Sequence, residues 1–278
     1  MSAAIVDCGR ARWKVGIWEG NPDGPSPVRS EYETFEVSGD AFDRALHEVA
    51  HWIEARSAAS IRVVGGAAMR SDDRLVAQVR STLGVSPEVL SPIREAELFA
   101  SAVRGVHGGA GTVVCDVGGG SVQLADVGLA WALSLPRGTY AVEEAFGVAA
   151  GSDAATCWSA ALRLAAEFGR QLPQLSATQL VVGSNQMESF SNAAWRYTTS
   201  DPRPVGFALE DLARMLEVVA RVAPAQHEEV FPSNPEFMFG ARQALCVMVA
   251  VSAVLGSPVV IPTDLSVSHG LALELLGG

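Results

Sequence analysis

Gly111-Thr-Val-Val-Cys-Asp116-Val-Gly118-Gly119-Gly120-Ser121-Val-Gln123-Leu is the stretch whose reading decides the fold. An apolar run at 112–115 ends in an acidic residue, three glycines and a serine, and then apolar residues resume. The pattern reads as strand, tight turn, strand. Glycine takes φ > 0 freely and has no Cβ, so the backbone of such a turn can come close to a ligand. Successive N–H groups in the turn make a nest for anions, phosphate above all. An Asp at the end of the strand can hold a hydrated Mg²⁺, a hard cation that takes oxygen from carboxylates and from the substrate's own phosphates.

The N-terminus carries a rougher copy. Ala3-Ala-Ile-Val-Asp7-Cys-Gly9-Arg-Ala-Arg-Trp-Lys-Val-Gly-Ile-Trp is again apolar strand, Asp, Gly, turn and strand. Two Asp-x-Gly hairpins suggest two phosphate-binding turns facing one cleft. Asp and Gly also serve turn geometry alone, and that second reading stays open for each hairpin.

Composition narrows the function. The 278 residues allow one large domain or two medium ones, and 49% hydrophobic with 18% charged residues supplies ample core. A net charge of −11 argues against a nucleic-acid binder, which needs a basic surface. A small phosphorylated ligand remains compatible, because a local cluster of Arg and backbone N–H suffices. Cys8, Cys115, Cys157 and Cys246 form no C-x-x-C pair, so they read as small buried hydrophobes in a reducing compartment. No signal peptide is expected. The uncharged stretch 243–263 is broken by Gly256-Ser-Pro258 into a buried helix and a buried strand, too short to span a membrane.

Along the chain, strands are expected at 3–8, 13–18 and 28–37. A helix follows at 40–59 with Asp40 as N-cap, then a strand at 61–64, a helix at 74–83, a strand at 89–90 and a helix at 93–106. After the glycine hairpin the plan repeats: a strand at 128–135, helices at 140–146 and 152–171, and a strand at 179–182 ending in Gly183-Ser184-Asn185. In the second of these helices Leu162, Leu164, Ala165 and Phe168 are expected to face inward. Helices at 209–220 and 237–255, a strand at 259–262 and a helix at 267–276 complete the chain. The order fits an α/β fold, with ligand-binding turns at the carboxyl ends of strands.

These motifs resemble the exopolyphosphatase / guanosine pentaphosphate phosphohydrolase (Ppx/GppA) family of the actin-like ATPase superfamily, over nearly the whole chain. The family's Asp-Ile-Gly-Gly-Gly-Ser-Thr-Glu is matched by Asp116-Val-Gly118-Gly119-Gly120-Ser121-Val122-Gln123. Its Asp-x-Gly-Ser-Asn-Ser/Thr corresponds to Asp7-Cys8-Gly9-Arg10-Ala11-Arg12, and its Ala-Thr-Ser-Ala-Leu-Arg to Gly66-Ala67-Ala68-Met69-Arg70. Its Glu-Ala-Arg-Leu corresponds to Glu95-Ala96-Glu97-Leu98, and Ser134-Leu-Pro136-Arg-Gly138 keeps its Ser-Leu-Pro-x-Gly. The resemblance implies an α/β fold of two ribonuclease H-like (actin-like ATPase) domains with a cleft between them. They would span 1–125 and 126–265, with the terminal helix, 266–278, packing back on the first.

The resemblance further implies a cytoplasmic, Mg²⁺-dependent hydrolase that releases phosphate from short polyphosphate or guanosine pentaphosphate. Nucleic acid and membrane are not expected partners, and a homodimer is allowed. Glu95 would activate water as a catalytic residue together with Asp116 and Gln123. Asp7 and Asp116 would hold the metal. Gly9, Arg10, Arg70, Gly118, Gly119, Gly120 and Ser121 would bind phosphate. Three departures stand out: Gln123 replaces a catalytic Glu, Arg10-Ala11-Arg12 replaces Ser and Asn, and one Gly remains at Gly183. Gln cannot take a proton, and losing such a group typically costs about 10²–10⁴-fold in rate. A non-catalytic scaffold that binds a phosphorylated ligand or a protein partner is therefore the alternative. An actin-like kinase is a third reading, by fold analogy alone.

Overall fold

The computed structural model describes residues 2–9, 12–24, 26–37, 42–172, 177–183, 187–231 and 240–277. Arg10, Ala11, Asp40, Ser184, Asn185 and Phe237 lie outside them. The chain divides into two units, Met1–Gly105 with Ser266–Gly278, and Val106–Leu265.

The first unit holds β1 (Ser2–Cys8), β2 (Arg12–Glu19), β3 (Val28–Glu36), α1 (Phe42–Glu54), β4 (Ser60–Gly65), α2 (Ala67–Arg70), α3 (Asp73–Leu83), β5 (Glu88–Val89) and most of α4 (Pro92–His107). Its sheet runs β3-β2-β1-β4-β5, with β1–β2–β3 antiparallel and β4 and β5 parallel to β1. Local signals set the helix ends. Asp72 caps α3 by accepting from Arg74 N and Leu75 N, and Gly84 ends it in the left-handed region at φ 68.

The second unit holds β6 (Thr112–Val117), β7 (Val122–Asp126), β8 (Ala132–Leu135), α5 (Thr139–Phe146), α6 (Ala154–Phe168), β9 (Gln179–Gly183), α7 (Met187–Thr198), α8 (Leu209–Arg221), α9 (His227–Val230), α10 (Ala241–Leu255) and β10 (Val260–Thr263). Its sheet runs β10-β9-β6-β7-β8. Read from the other edge, this is the strand order of the first sheet, so one plan is built twice. α10 is apolar apart from Arg242, Gln243 and Ser252 and is buried among α5, α6 and α8. α11 (Val267–Leu276) returns to the first unit and packs on β1. Gly270 permits this, because a Cβ there would run into the backbone of Leu98 on α4.

Four expectations change. The boundary falls after 105 rather than 125, because β6 pairs in parallel with the distant β9, from Thr112↔Gln179 to Asp116↔Gly183. The first helix stops at Glu54, and the chain turns at 55–57 with Ser57 at φ 48. β8 starts at Ala132 because Leu129 N closes a turn on Asp126 O at 2.8 Å, with Leu129 at φ 65. Leu162 is 67% exposed, whereas Leu164 and Phe168 are buried. The helices α2 and α7 were not expected. Among the described residues no helix is long and apolar enough to cross a membrane.

Candidate active site

In the first unit, Asp7 is the penultimate residue of β1, directly beside Val64 of β4, and Gly65-Gly66 follows. The chain then turns through α2, whose last residue is Arg70. Ser91 opens α4 by accepting from Arg94 N at 3.1 Å, and Glu95 follows on the first turn. Three of the residues expected to act are thereby brought to the carboxyl edge of one sheet. The guanidinium Nη1 of Arg70 donates to Glu95 Oε1 at 2.9 Å and also to the carbonyl of Leu90.

Glu95 is only 12% exposed along its side chain, against 27% for Arg70. Its carboxylate lies against Gly66, where any Cβ would collide with Oε1. Burial pushes the Glu95 carboxyl above its ordinary range; the Arg70 hydrogen bond and charge pull the other way, and the Asp7 carboxylate adds a further upward push. A partly desolvated carboxylate near a second carboxylate is the kind of group that accepts a proton from water.

Sequence reasoning missed Lys14. It sits opposite Asp7 in the β1–β2 register, and its Nζ is 3.8 Å from Asp7 Oδ2. The signal was available: residues 7 and 14 are equidistant from the centre of the hairpin. Gly9 is required by close approach, since a Cβ there would sit 2.5 Å from Arg12 O. Arg10, the remaining residue expected at this turn, lies outside the described residues.

In the second unit, Asp116 is the penultimate residue of β6, opposite Gln123. Gly118 N donates to Ser121 O at 3.0 Å and closes the turn. The carbonyls of Gly118 and Gly119 accept from Thr139 N at 3.0 Å and Tyr140 N at 2.8 Å. Gly138 lies so near that a Cβ would meet Gly119 C and O at 2.5 Å. Gly138, Thr139 and Tyr140, at the start of α5, therefore clamp the glycine turn. Among the described residues the N–H groups of Gly119 and Gly120 carry no backbone hydrogen bond, as an anion nest requires.

Gln123 is buried. Its Nε2 donates to Ser121 Oγ at 2.6 Å and to Ser134 Oγ at 3.3 Å. Its amide thereby orients the Ser121 hydroxyl. Arg137 is likewise engaged, with Nε 2.7 Å from Glu167 Oε2. All four cysteines are buried free thiols.

Among the described residues no three His, Cys, Asp or Glu side chains gather as a metal cage. Mg²⁺ needs less, because it is bound by one or two carboxylates plus substrate phosphates and retains several waters. The half-buried carboxylates of Asp7 and Asp116 have the right donor chemistry for it.

The doubled strand order, with an Asp–Gly hairpin at the head of each copy, is that of the actin-like ATPase fold. The profile of the Ppx/GppA phosphatase family matches residues 40–277, and the chain belongs to that family. An exopolyphosphatase from Cytophaga hutchinsonii superposes with a TM-score of 0.82 at 16% identity, over 99% of this chain and 98% of that one. An Aquifex aeolicus Ppx/GppA family member gives 0.78 at 15% identity, over 99% and 97%. At such identities the likeness speaks to the fold. No curated protein is matched by sequence.

Proposed function

We propose that the protein hydrolyses a phosphoanhydride bond and releases phosphate from short polyphosphate or guanosine pentaphosphate, with Mg²⁺, in the cytoplasm. The observation that carries this reading is the half-buried Glu95 carboxylate, raised by its surroundings and held by Arg70. Glu95 orients a water and takes its proton. The N–H groups of Gly119 and Gly120 and the Ser121 hydroxyl receive phosphoryl oxygens. Asp7 and Asp116 would hold Mg²⁺, which when bound supplies charge neutralisation on the phosphates. Phosphate release from each substrate, with Mg²⁺ and with a chelator, tests the reading: dependence on the metal supports it, and silence from folded protein refutes it.

A second reading, a binder without turnover, draws on Gln123, whose amide is committed to two serines. Its test is Gln123→Glu. If the wild type binds inorganic tripolyphosphate without cleaving it and the variant gains phosphate release, the wild type is the binder. Turnover by the wild type removes this reading.

A further inference from the structure

Arg70 uses one nitrogen for two bonds. Its Nη1 donates both to Glu95 Oε1 and to the Leu90 carbonyl, the residue that leads into α4. Among the described residues, Nε and Nη2 of the same guanidinium carry no hydrogen bond, and the side chain is a quarter exposed. A guanidinium is planar and rigid, so fixing one edge fixes the direction in which the other edge points. The same Oε1 lies against Gly66, where a Cβ would collide with it. Oε1 is thus fixed by the guanidinium and needs the bare backbone of Gly66 for room. The charged groups facing it are Arg70 from α2 and Asp7 from β1, the latter carrying its own partner, Lys14 of β2.

We propose that Arg70 is the positioning residue of Glu95: its Nη1 edge sets the carboxylate, while its Nε/Nη2 edge meets the phosphoryl group, so one rigid plane fixes the distance between base and phosphorus. This rests on the hydrolase reading and goes beyond phosphate binding by Arg70. A lysine at 70 keeps a charge for phosphate but has no second edge. A methyl at 66 moves Glu95 while leaving Arg70 intact. Either change therefore acts on the chemical step rather than on affinity.

Two readouts decide it. The first needs no turnover: a ¹³C-carboxyl titration of Glu-labelled protein, with Glu95 assigned by Glu95→Gln, comparing wild type and Arg70→Met. The midpoint of Glu95 should rise by about one pH unit or more when the guanidinium is removed; an unmoved midpoint overturns the proposal. The second uses inorganic tripolyphosphate. Arg70→Lys and Gly66→Ala should each lower kcat by about tenfold or more with KM changed less than about threefold. A raised KM with unchanged kcat in Arg70→Lys makes Arg70 an ordinary phosphate ligand and overturns the proposal, whether or not Gly66→Ala folds. If the wild type cleaves no phosphoanhydride, the hydrolase reading fails, and the titration still decides whether Arg70 governs Glu95.

Discussion

Asp7 faces Lys14 across the first hairpin, and Asp116 faces Gln123 across the second. The two strand pairs have matching register, closing with Cys8↔Trp13 in one and Val117↔Val122 in the other. The turns differ in what they offer. The first sets an ammonium 3.8 Å from its carboxylate, while the second offers glycine N–H groups and a serine hydroxyl steered by an amide. The same divergence recurs after the fifth strand of each sheet. Ser91 opens α4 and Ser266 opens α11; four residues on stand Glu95 in one and Gly270 in the other. Glu95 is the half-buried, Arg70-paired carboxylate of the candidate site, whereas Gly270 serves close packing on Leu98. The two copies of one plan thus differ at matching positions: the first carries the Arg70-paired Glu95, the second a glycine turn with unbonded N–H groups.

The sharpest way to break this comparison is to remove the base. Glu95→Gln should lower phosphate release by about 10²-fold or more while binding of inorganic tripolyphosphate by calorimetry is retained; unchanged turnover would show that the first copy does not carry the chemistry. Next comes the cradle. Gly138→Ala forces a methyl onto the Gly118–Gly119 backbone, where nothing flexible can yield. It should cost about 1–3 kcal/mol in chemical denaturation and weaken phosphate binding, whereas an unaffected protein would mean that the turn is not clamped.

The two helix starts can be told apart by pH. Burial, and then the charge of Arg29, lower His269 to about 4, while Ser266 N donates to its Nδ1 at 3.1 Å. The unfolded chain binds the proton near 6.5, so the stabilisation is complete above that pH and is lost as pH falls from about 6.5 towards 4. The loss should reach about 1–3 kcal/mol in denaturation midpoints, and His269→Gln should flatten it. A wild-type curve level across that window would contradict the assignment. The smallest effect is expected at Lys14→Met. Its pair with Asp7 is partly exposed and long, so stability should change by less than about 1 kcal/mol. A larger loss in thermal unfolding would make Lys14 a structural part of the first hairpin.

Much of this fold was legible in the sequence because its signals are local. Strand, Asp, Gly and strand predict both hairpins, and the break at Gly256-Ser-Pro258 separates α10 from β10. The unit boundary was not legible, because the parallel pairing of β6 with β9 joins segments far apart in the chain. α2 has four residues and too little periodicity to read. Leu162 misled because apolar content in α6 exceeds what its inward face needs. In the site, residue types were readable and partners were not. Nothing in the chain's order announces that Gly66 makes room for Glu95, that Arg70 reaches both Glu95 and Leu90, or that Gln123 is spent on two serines.

The most direct test of the central claim is inorganic phosphate released by the wild-type protein from tripolyphosphate, long-chain polyphosphate and guanosine pentaphosphate, each with Mg²⁺ and with chelator. Metal-dependent release from at least one of them is the result expected if Glu95 serves as the base. No release from any, by protein shown to be folded and to bind tripolyphosphate, would contradict it and leave a fold whose base no longer has a reaction.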